Sequence, residues 1–577
     1  MLEQGLEKFS IAKYGVHSNN PAFLKEMEEV KKYYEFYEGT PNEDEQAPDS
    51  PQFGQDWKVA DDLDYKPSKD IRNHTKKLLQ KQARFMFGVS PTLVLKPLAG
   101  NKTDKVEDKR TLLEFILTKS NFWAQTHKAF LDCTIGKRVL LTIIANPGEP
   151  IKFRYYTMPE FTYEVDPNDS SMLTKVSIIY QDDRTKGKVG EEQIWHQWIY
   201  QLMQKVSNNP MSKPEYRCLA TYKVTDGNGL TKTYQEPVLD DQGMQITDEV
   251  TGEPLYIEKE CIQNIDTHLD FIPAYVILND PLTGDIKGHS DVKDLMHLAN
   301  HYNRTNSDYR DALRFKMFEQ PVFTDADDEC VSNIKIAPNA LINLKSDPTV
   351  LDPEGGNTTA SASMLSATFN FSAPADSYLQ GIKKDMYELM DQPLPESLVN
   401  IPSAKALGFL FYDLKGRCED KWLAWDAALQ WLVEKIEFCV ISMGLYPEFN
   451  GVNIMSTPSI LTVKHNYPIP EDVELKKQTA ISEVEANVKS HKTYIREFGD
   501  VEDEDAEWNE IQEEMEQLNS KNTDPFQTAL NETSLDDNSD GEGAKNNKEG
   551  GTSLIDDGQG GNDDDSGRKP TKKKEDE

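Results

Sequence analysis

From Ser403 to Leu445 the chain runs without a proline, and Leu407, Leu410, Phe411, Leu414, Trp422, Trp425, Leu429, Leu432, Ile436 and Cys439 fall along a three-and-four spacing. That pattern predicts one helix with an apolar stripe, capped by Ser403 and reaching about 55 Å. Trp422, Trp425 and Trp431 cover more than one face, which predicts burial on several sides.

The segment before it is its opposite. Asp391 to Ser403 holds three prolines, Pro393, Pro395 and Pro402. Helix connections usually take about 2 to 8 residues, and longer ordered ones tend to be working parts. Upstream, ADSYLQGIKKDMYELM predicts a helix capped by Asp376 or Ser377, with a stripe at Leu379, Ile382, Met386 and Leu389. A further helix is predicted from Ser290 to the stop at Pro321, with Val292, Leu295, Met296, Ala299, Tyr302, Tyr309, Leu313 and Phe318 on its apolar side. Between these helices lie short strand-like runs, VFTDAD, NIKIAP and ALINLK. A β-rich element carried on two helices reads as a stalk with a head. Stalk helices with one apolar stripe need neighbours, and a ring of copies supplies them without free ends.

Nearer the N-terminus, Tyr37 to Gln55 is an acidic, proline-bearing surface loop. A helix capped by Ser68 runs to Gly88, and LLEFILTKSNFWAQTHKAFLDCTIG forms a second helical region. RVLLTIIANPGEPIKFRYYTMP reads as two strands joined by a turn at Asn146 to Gly148. From about 174 to 275, strands alternate with the turn signals TDGNG, LDDQG and VTGEP, predicting a mostly antiparallel sheet. Asp472 to Leu518 is helical and acidic, with Trp508, Ile511, Met515 and Leu518 on one narrow packing face. From 531 onward the chain has 14 acids, 7 bases and no aromatic residue, which predicts a disordered acidic tail over 521 to 577.

Composition narrows the function classes. At 577 residues, about four domains are expected. The longest near-apolar run, Val139 to Ala145, is far short of the about 20 residues that a bilayer requires. MLEQGLEKFS lacks the pattern of a secretory leader, predicting a protein kept in the cytoplasm where it is made. Cys133, Cys218, Cys261, Cys330, Cys418 and Cys439 lie far apart, as expected of buried thiols. A net charge of -36 argues against tightly held nucleic acid, because phosphate binding rests on Lys and Arg. It leaves room for DNA that passes without being gripped.

The chemical motifs are incomplete. His297 and His301 stand one turn apart, but position 298 is Leu where a zinc protease needs its Glu, so no metal site is expected. Gly136-Lys137 lacks the remainder of a phosphate loop, and no Gly-x-Ser-x-Gly is present. Neither a catalytic residue nor a cofactor is expected.

The order of parts resembles the phage portal proteins, the ring at the unique vertex of tailed-phage capsids. The resemblance runs from about Asp56 to Leu518. It is carried by RFMFGVSPTLVL, the Gly136 turn into strands, FIPAYVILND followed by SDVKDLMHLANHYNRTNSD, PLPESLVNIPSAKALGFLFYDL, and the closing KKQTAISEVEANVKSHKTYIREFGDVEDEDAEWNEIQEE. It implies an α+β portal fold. An N-terminal arm and acidic loop (1–55) would precede a wing (56–285). A stem helix (286–320), a β-rich clip (321–375) and a second stem helix (376–390) would follow. A tunnel loop (391–403), a long wing helix with following strands (404–470), a crown (471–520) and the acidic tail (521–577) would complete it.

The tunnel loop would bring Pro393, Leu394, Pro395, Glu396, Ser397, Leu398, Val399, Asn400 and Ile401, with Lys405 nearby, to the narrowest point of an axial channel. Proline suits that position, since it fixes φ and removes backbone donors from an otherwise unpaired segment. Lys293, Arg304, Arg310, Arg314 and Lys316 on the first stem helix would face either DNA or a neighbouring subunit's acids.

The expected function is therefore a non-enzymatic portal ring, a dodecamer as in the family, located at the virion's capsid vertex after assembly in the host cytoplasm. Its partners would be itself, the terminase large subunit, major capsid and scaffolding proteins, head-tail connector proteins, and double-stranded DNA passing without sequence specificity. No membrane partner is expected. The rivals are a non-portal virion or scaffold adaptor, and a nuclease whose Asp and Glu residues hold Mg2+.

Overall fold

The computed structural model describes residues 21–39, 68–98, 103–188, 190–205, 215–238, 256–317, 320–332, 344–347, 349, 359–365, 372–398, 404–469, 473–499 and 504–521. The chain divides into two units, Met1–Asp472 and Val473–Glu577.

The first unit mixes helices with antiparallel sheets, as expected of an α+β chain. Its elements begin with α1 (Pro21–Glu38), α2 (His74–Phe87), β1 (Thr92–Pro97), α3 (Thr103–Lys119) and α4 (Phe122–Gly136). Strands β2 (Arg138–Ile144), β3 (Lys152–Thr157), β4 (Phe161–Val165), β5 (Leu173–Gln181), β6 (Trp195–Lys205) and β7 (Glu215–Thr225) follow. After them come β8 (Thr233–Pro237), β9 (Tyr256–Glu260), β10 (Ile262–Asp266) and β11 (Ala274–Leu278). Then come α5 (Asp291–Met317), β12 (Gln320–Thr324), the short α6 (Asp328–Ser332), β13 (Ser361–Leu365) and α7 (Ser372–Leu389). The unit closes with α8 (Ala404–Leu410), α9 (Tyr412–Met443), α10 (Gly451–Met455) and β14 (Ser459–Lys464). The second unit holds α11 (Val473–Glu485), α12 (His491–Phe498) and α13 (Glu504–Lys521).

The predicted antiparallel sheet has five strands in the order β10-β7-β6-β5-β4, and β2 lies between β11 and β3 in a second sheet. Distant parts also pair: β1 lies against β14, and β12 against β13. NIKIAP lies outside the described residues, as does ALINLK apart from Leu344 and Lys345.

Three large apolar clusters among the described residues hold this unit together, beside a small one of Ile179 and Trp195. The first surrounds α9, whose buried Trp422 and Trp425 meet Phe87 of α2 and Phe130 of α4. The second joins α1, α2, α5 and α7 through Val30, Phe36, Leu78, Leu295 and Met386. The third fills the space behind the five-stranded sheet with Phe161, Val176, Ile178 and Cys218.

The expected boundaries change at four places. The helix assigned to Ser68 starts at His74, because Asn73 is the residue whose side chain accepts from Lys76 N–H. The second helical region is two helices, since Asn121 turns into the left-handed region at φ 52°. Helix α7 begins at Ser372, so Asp376 and Ser377 lie inside it. Pro374 permits this because a first-turn N–H has no intrahelical partner to lose. The long helix is broken at Phe411, whose φ of -97° and ψ of 6° leave the helical range while its ring stacks on Phe85 at 5.5 Å. The proposed cap Ser403 lies outside the described residues.

Helix α1 falls in the segment read as an N-terminal arm. Phe23, Met27, Val30, Tyr33, Phe36 and Tyr37 are all buried. In the second unit, His491 stacks on Trp508 at 5.7 Å, joining α12 to α13, while Met515 is 52 % exposed.

Candidate functional site

The proline loop leaves α7 through Asp391, which takes the left-handed conformation at φ 53°. Its N–H donates to Glu388 O, and Gln392 N–H donates to Tyr387 O, closing the helix end. The next residues are tied down: Gln392 Nε2 donates to Leu78 O at 2.7 Å, and Lys81 Nζ to Pro393 O at 3.4 Å. Gln392 and Pro393 are buried, and Leu394 packs against the second apolar cluster. A single turn then spans Pro395–Leu398, with Ser397 Oγ donating to Leu394 O.

Burial thus divides the expected loop residues. Pro393 and Leu394 form the root, Pro395, Glu396 and Ser397 the exposed tip, and Leu398 is half-buried. Val399, Asn400 and Ile401 lie outside the described residues, and of Lys405 only its place in α8 is described. Glu396 carries the tip's charge and pairs with Lys383 of α7 at 2.7 Å.

A charged network lies beneath this root. Arg417 of α9 donates to Leu389 O at 3.3 Å and to Asp391 Oδ2 at 3.4 Å, and it also lies 3.6 Å from Asp291 Oδ2. One turn on, Lys421 Nζ meets Asn279 Oδ1 at 2.7 Å, Asp280 Oδ2 at 2.7 Å and Asp291 Oδ1 at 3.1 Å. Asp291 and Lys421 are buried. Burial pushes the Asp291 carboxyl up, but Lys421 and Arg417 outweigh it and hold it below the usual range. Burial likewise lowers Arg417, but Asp291, Asp280 and Asp391 outweigh it and raise the guanidinium. The start of α5, the end of α7 and the first half of α9 are therefore held by one set of charges. Sequence reasoning missed it, although Lys421 sits in the apolar row of Leu414, Cys418 and Trp425, where a charge needs a partner.

The basic residues of α5 do not share a face. Lys293 and Arg304 are exposed on the row that carries His297 and His301, whose rings lie 4.4 Å apart. Arg310 and Arg314 instead line a groove of about 790 Å³ with Arg72, Tyr309, Leu313 and Lys383. Lys316 is half-buried on a third side.

The buried row of α5 is polar for a specific reason. Ser68 N–H donates to Asp311 Oδ2 at 2.8 Å, Asp70 N–H to Ser307 Oγ at 2.8 Å, and Arg72 N–H to Asn303 Oδ1 at 2.9 Å. Four helical residues rise about 6 Å and two extended residues about 6.6 Å, so an i, i+4 row can serve every second amide of an extended chain. This ladder pins the segment before α2 onto α5.

No group of three or more His, Cys, Asp or Glu residues suited to a metal occurs among the described residues. None of their helices is long and apolar enough to cross a membrane. The chemistry of the loop is positional: a buried, charge-locked root holds a short exposed tip. A family model described as phage portal protein, SPP1 Gp6-like, matches residues 16–521, including α1, both helices that flank the loop and all of α9. No curated protein matches the chain.

Proposed function

The chain belongs to the phage portal protein family, and we propose that it forms a closed ring at the capsid vertex through which double-stranded DNA is packaged and ejected. The family is structural and non-enzymatic, and it implies a homo-oligomeric ring, packaging partners and a place at the virion's capsid vertex. On this reading the ring is a dodecamer that assembles in the host cytoplasm with major capsid and scaffolding proteins. Helices α5 and α7 form the stem, and the β12–β13 region forms the clip that meets the terminase large subunit and later the head-tail connectors. The sheets with α9 form the wing, and the second unit the crown. Hydrolysis of ATP belongs to the terminase partner.

The loop after α7 is the tunnel loop, with Pro395, Glu396 and Ser397 at its channel tip. The family match carries the reading, because it covers both helices and the loop they enclose. The net charge of -36 supports it as well: a channel that bound many phosphates would trap the DNA in salt-dependent wells.

Native mass spectrometry and rotational class averages of the purified chain test the proposal. A closed ring of about twelve copies with an axial hole is expected on the symmetry argument. A chain that stays monomeric or dimeric at high concentration overturns the proposal.

A further inference from the structure

We propose that the ring, if the portal reading holds, is closed by a charge-matched contact between stems: the groove lined by Arg310 and Arg314 takes the acidic outer row of α7 from the next copy. The groove is concave and cationic. Arg72, Arg310, Arg314 and Lys383 surround the partly exposed Leu313 and Tyr309. Two acids share its lining. Asp70 accepts from Asn306 Nδ2 at 2.7 Å, and Asp376 from Tyr309 Oη at 3.5 Å. Arg310 and Arg314 form no ion pair among the described residues. Two guanidiniums one turn apart repel each other at modest cost in water, and an incoming carboxylate relieves that repulsion.

The complementary row lies on the other side of the same stem. At 100° per residue, Tyr378, Asp385, Glu388 and Leu389 point about half a turn away from the groove-lining Asp376, Leu379 and Lys383. Tyr378 is 55 % exposed and Leu389 41 %. Asp385 is exposed, as is Glu388, whose one ion pair among the described residues is with the solvent-facing Lys384 at 3.2 Å. The carboxylates of Asp385 and Glu388 give this outward face a charge opposite to that of the groove's arginines, with Tyr378 and Leu389 as apolar area beside them.

One side of the stem therefore offers a basic cavity and the other an acidic, apolar ridge. A surface and its complement on opposite sides give a head-to-tail contact rather than a two-fold dimer, and such a contact makes a ring where the rotation between copies closes. A passing DNA duplex fits less well, since Asp70 and Asp376 within the groove oppose a polyanion.

Charge reversal in the full chain tests the contact. R310E with R314E, D385K with E388K, and all four together are compared by native mass and sedimentation across concentration. Thermal melts check folding. Each pair is expected to raise the concentration for half-assembly at least about tenfold, and the fourfold variant to return close to the unaltered chain. If a reversed pair does not melt cooperatively, R310Q with R314Q should still shift assembly in the same direction. Unchanged assembly in the reversed pairs, or no recovery in the fourfold variant, overturns the proposal. So do intact rings of the Arg variant that lose salt-dependent binding of a duplex oligonucleotide, which would assign the groove to phosphate. Failure of the unaltered chain to form rings is a separate outcome that removes the portal reading itself.

Discussion

Lys421 Nζ lies 3.1 Å from Asp291 Oδ1, joining the first half of α9 to the first residue of α5 with both side chains buried. Removing Lys421 leaves the buried Asp291 carboxylate with Arg417, at 3.6 Å, as its remaining cation. Lys421→Met should destabilise the first unit by about 3 to 5 kcal/mol, while the paired replacement of Lys421 by Met and Asp291 by Leu should recover much of that loss. Chemical denaturation of the three variants measures both. Asp291 also sets an acid limit. Its folded carboxyl titrates below its unfolded value, so its contribution is complete above the unfolded value and lost as pH falls through the folded one. Asp291→Asn should therefore flatten the acid side of the stability profile below about pH 4.

His74 gives a second pH dependence, in a less acidic window. Burial lowers its imidazole to about 4, with Lys383, Lys77 and Arg72 adding to the effect, and the ring stands edge-on to Tyr302 at 4.8 Å. The unfolded chain binds a proton near pH 6.5 that the folded chain refuses until about 4. Stability should be full above pH 6.5 and decline as pH falls toward 4. His74→Phe should remove that slope, which melting temperatures taken across this window will show.

The ladder on α5 predicts a local effect. Ser307→Ala removes the acceptor for Asp70 N–H and should cost about 1 to 3 kcal/mol, because a shielded donor loses its only partner in the ladder. Hydrogen exchange followed by mass spectrometry should show faster exchange in the peptide covering 68–72, with α9 unchanged. Uniform acceleration over the whole unit would contradict a local pin.

These cases show what the residues disclose by themselves. Helix α9 was legible because an apolar three-and-four row needs no knowledge of the partner. Its break at Phe411 was not, since no proline stands there and the ring that Phe411 stacks on, Phe85, belongs to a distant helix. Helix α1 carried the same signal in Phe23, Met27, Val30, Tyr33 and Tyr37, but the acidic loop beside it favoured reading the segment as an arm. The prolines begin just after the end of α7 at Leu389, where the helix stops. The root of the loop depended on Gln392 reaching Leu78, and the ladder on Asn303 reaching Arg72. Contacts from a side chain to a remote backbone leave no period in a sequence.

The tip of the loop can be altered without touching that root. Pro395, Glu396 and Ser397 are exposed, and the Glu396–Lys383 pair is a surface ion pair of a kind that contributes about 0 to 1 kcal/mol. Replacing the three residues by glycines should therefore leave melting and oligomer mass nearly unchanged. Gln392 and Leu394 keep their anchors, so the root of the loop should persist while the tip loses the shape that Pro395 imposes. If the tip contacts DNA in transit, an in vitro packaging reaction should yield far less nuclease-protected DNA, or heads that lose it after filling. Normal packaging and retention by an intact variant ring would remove this tip from the DNA path and leave the loop a purely structural connection.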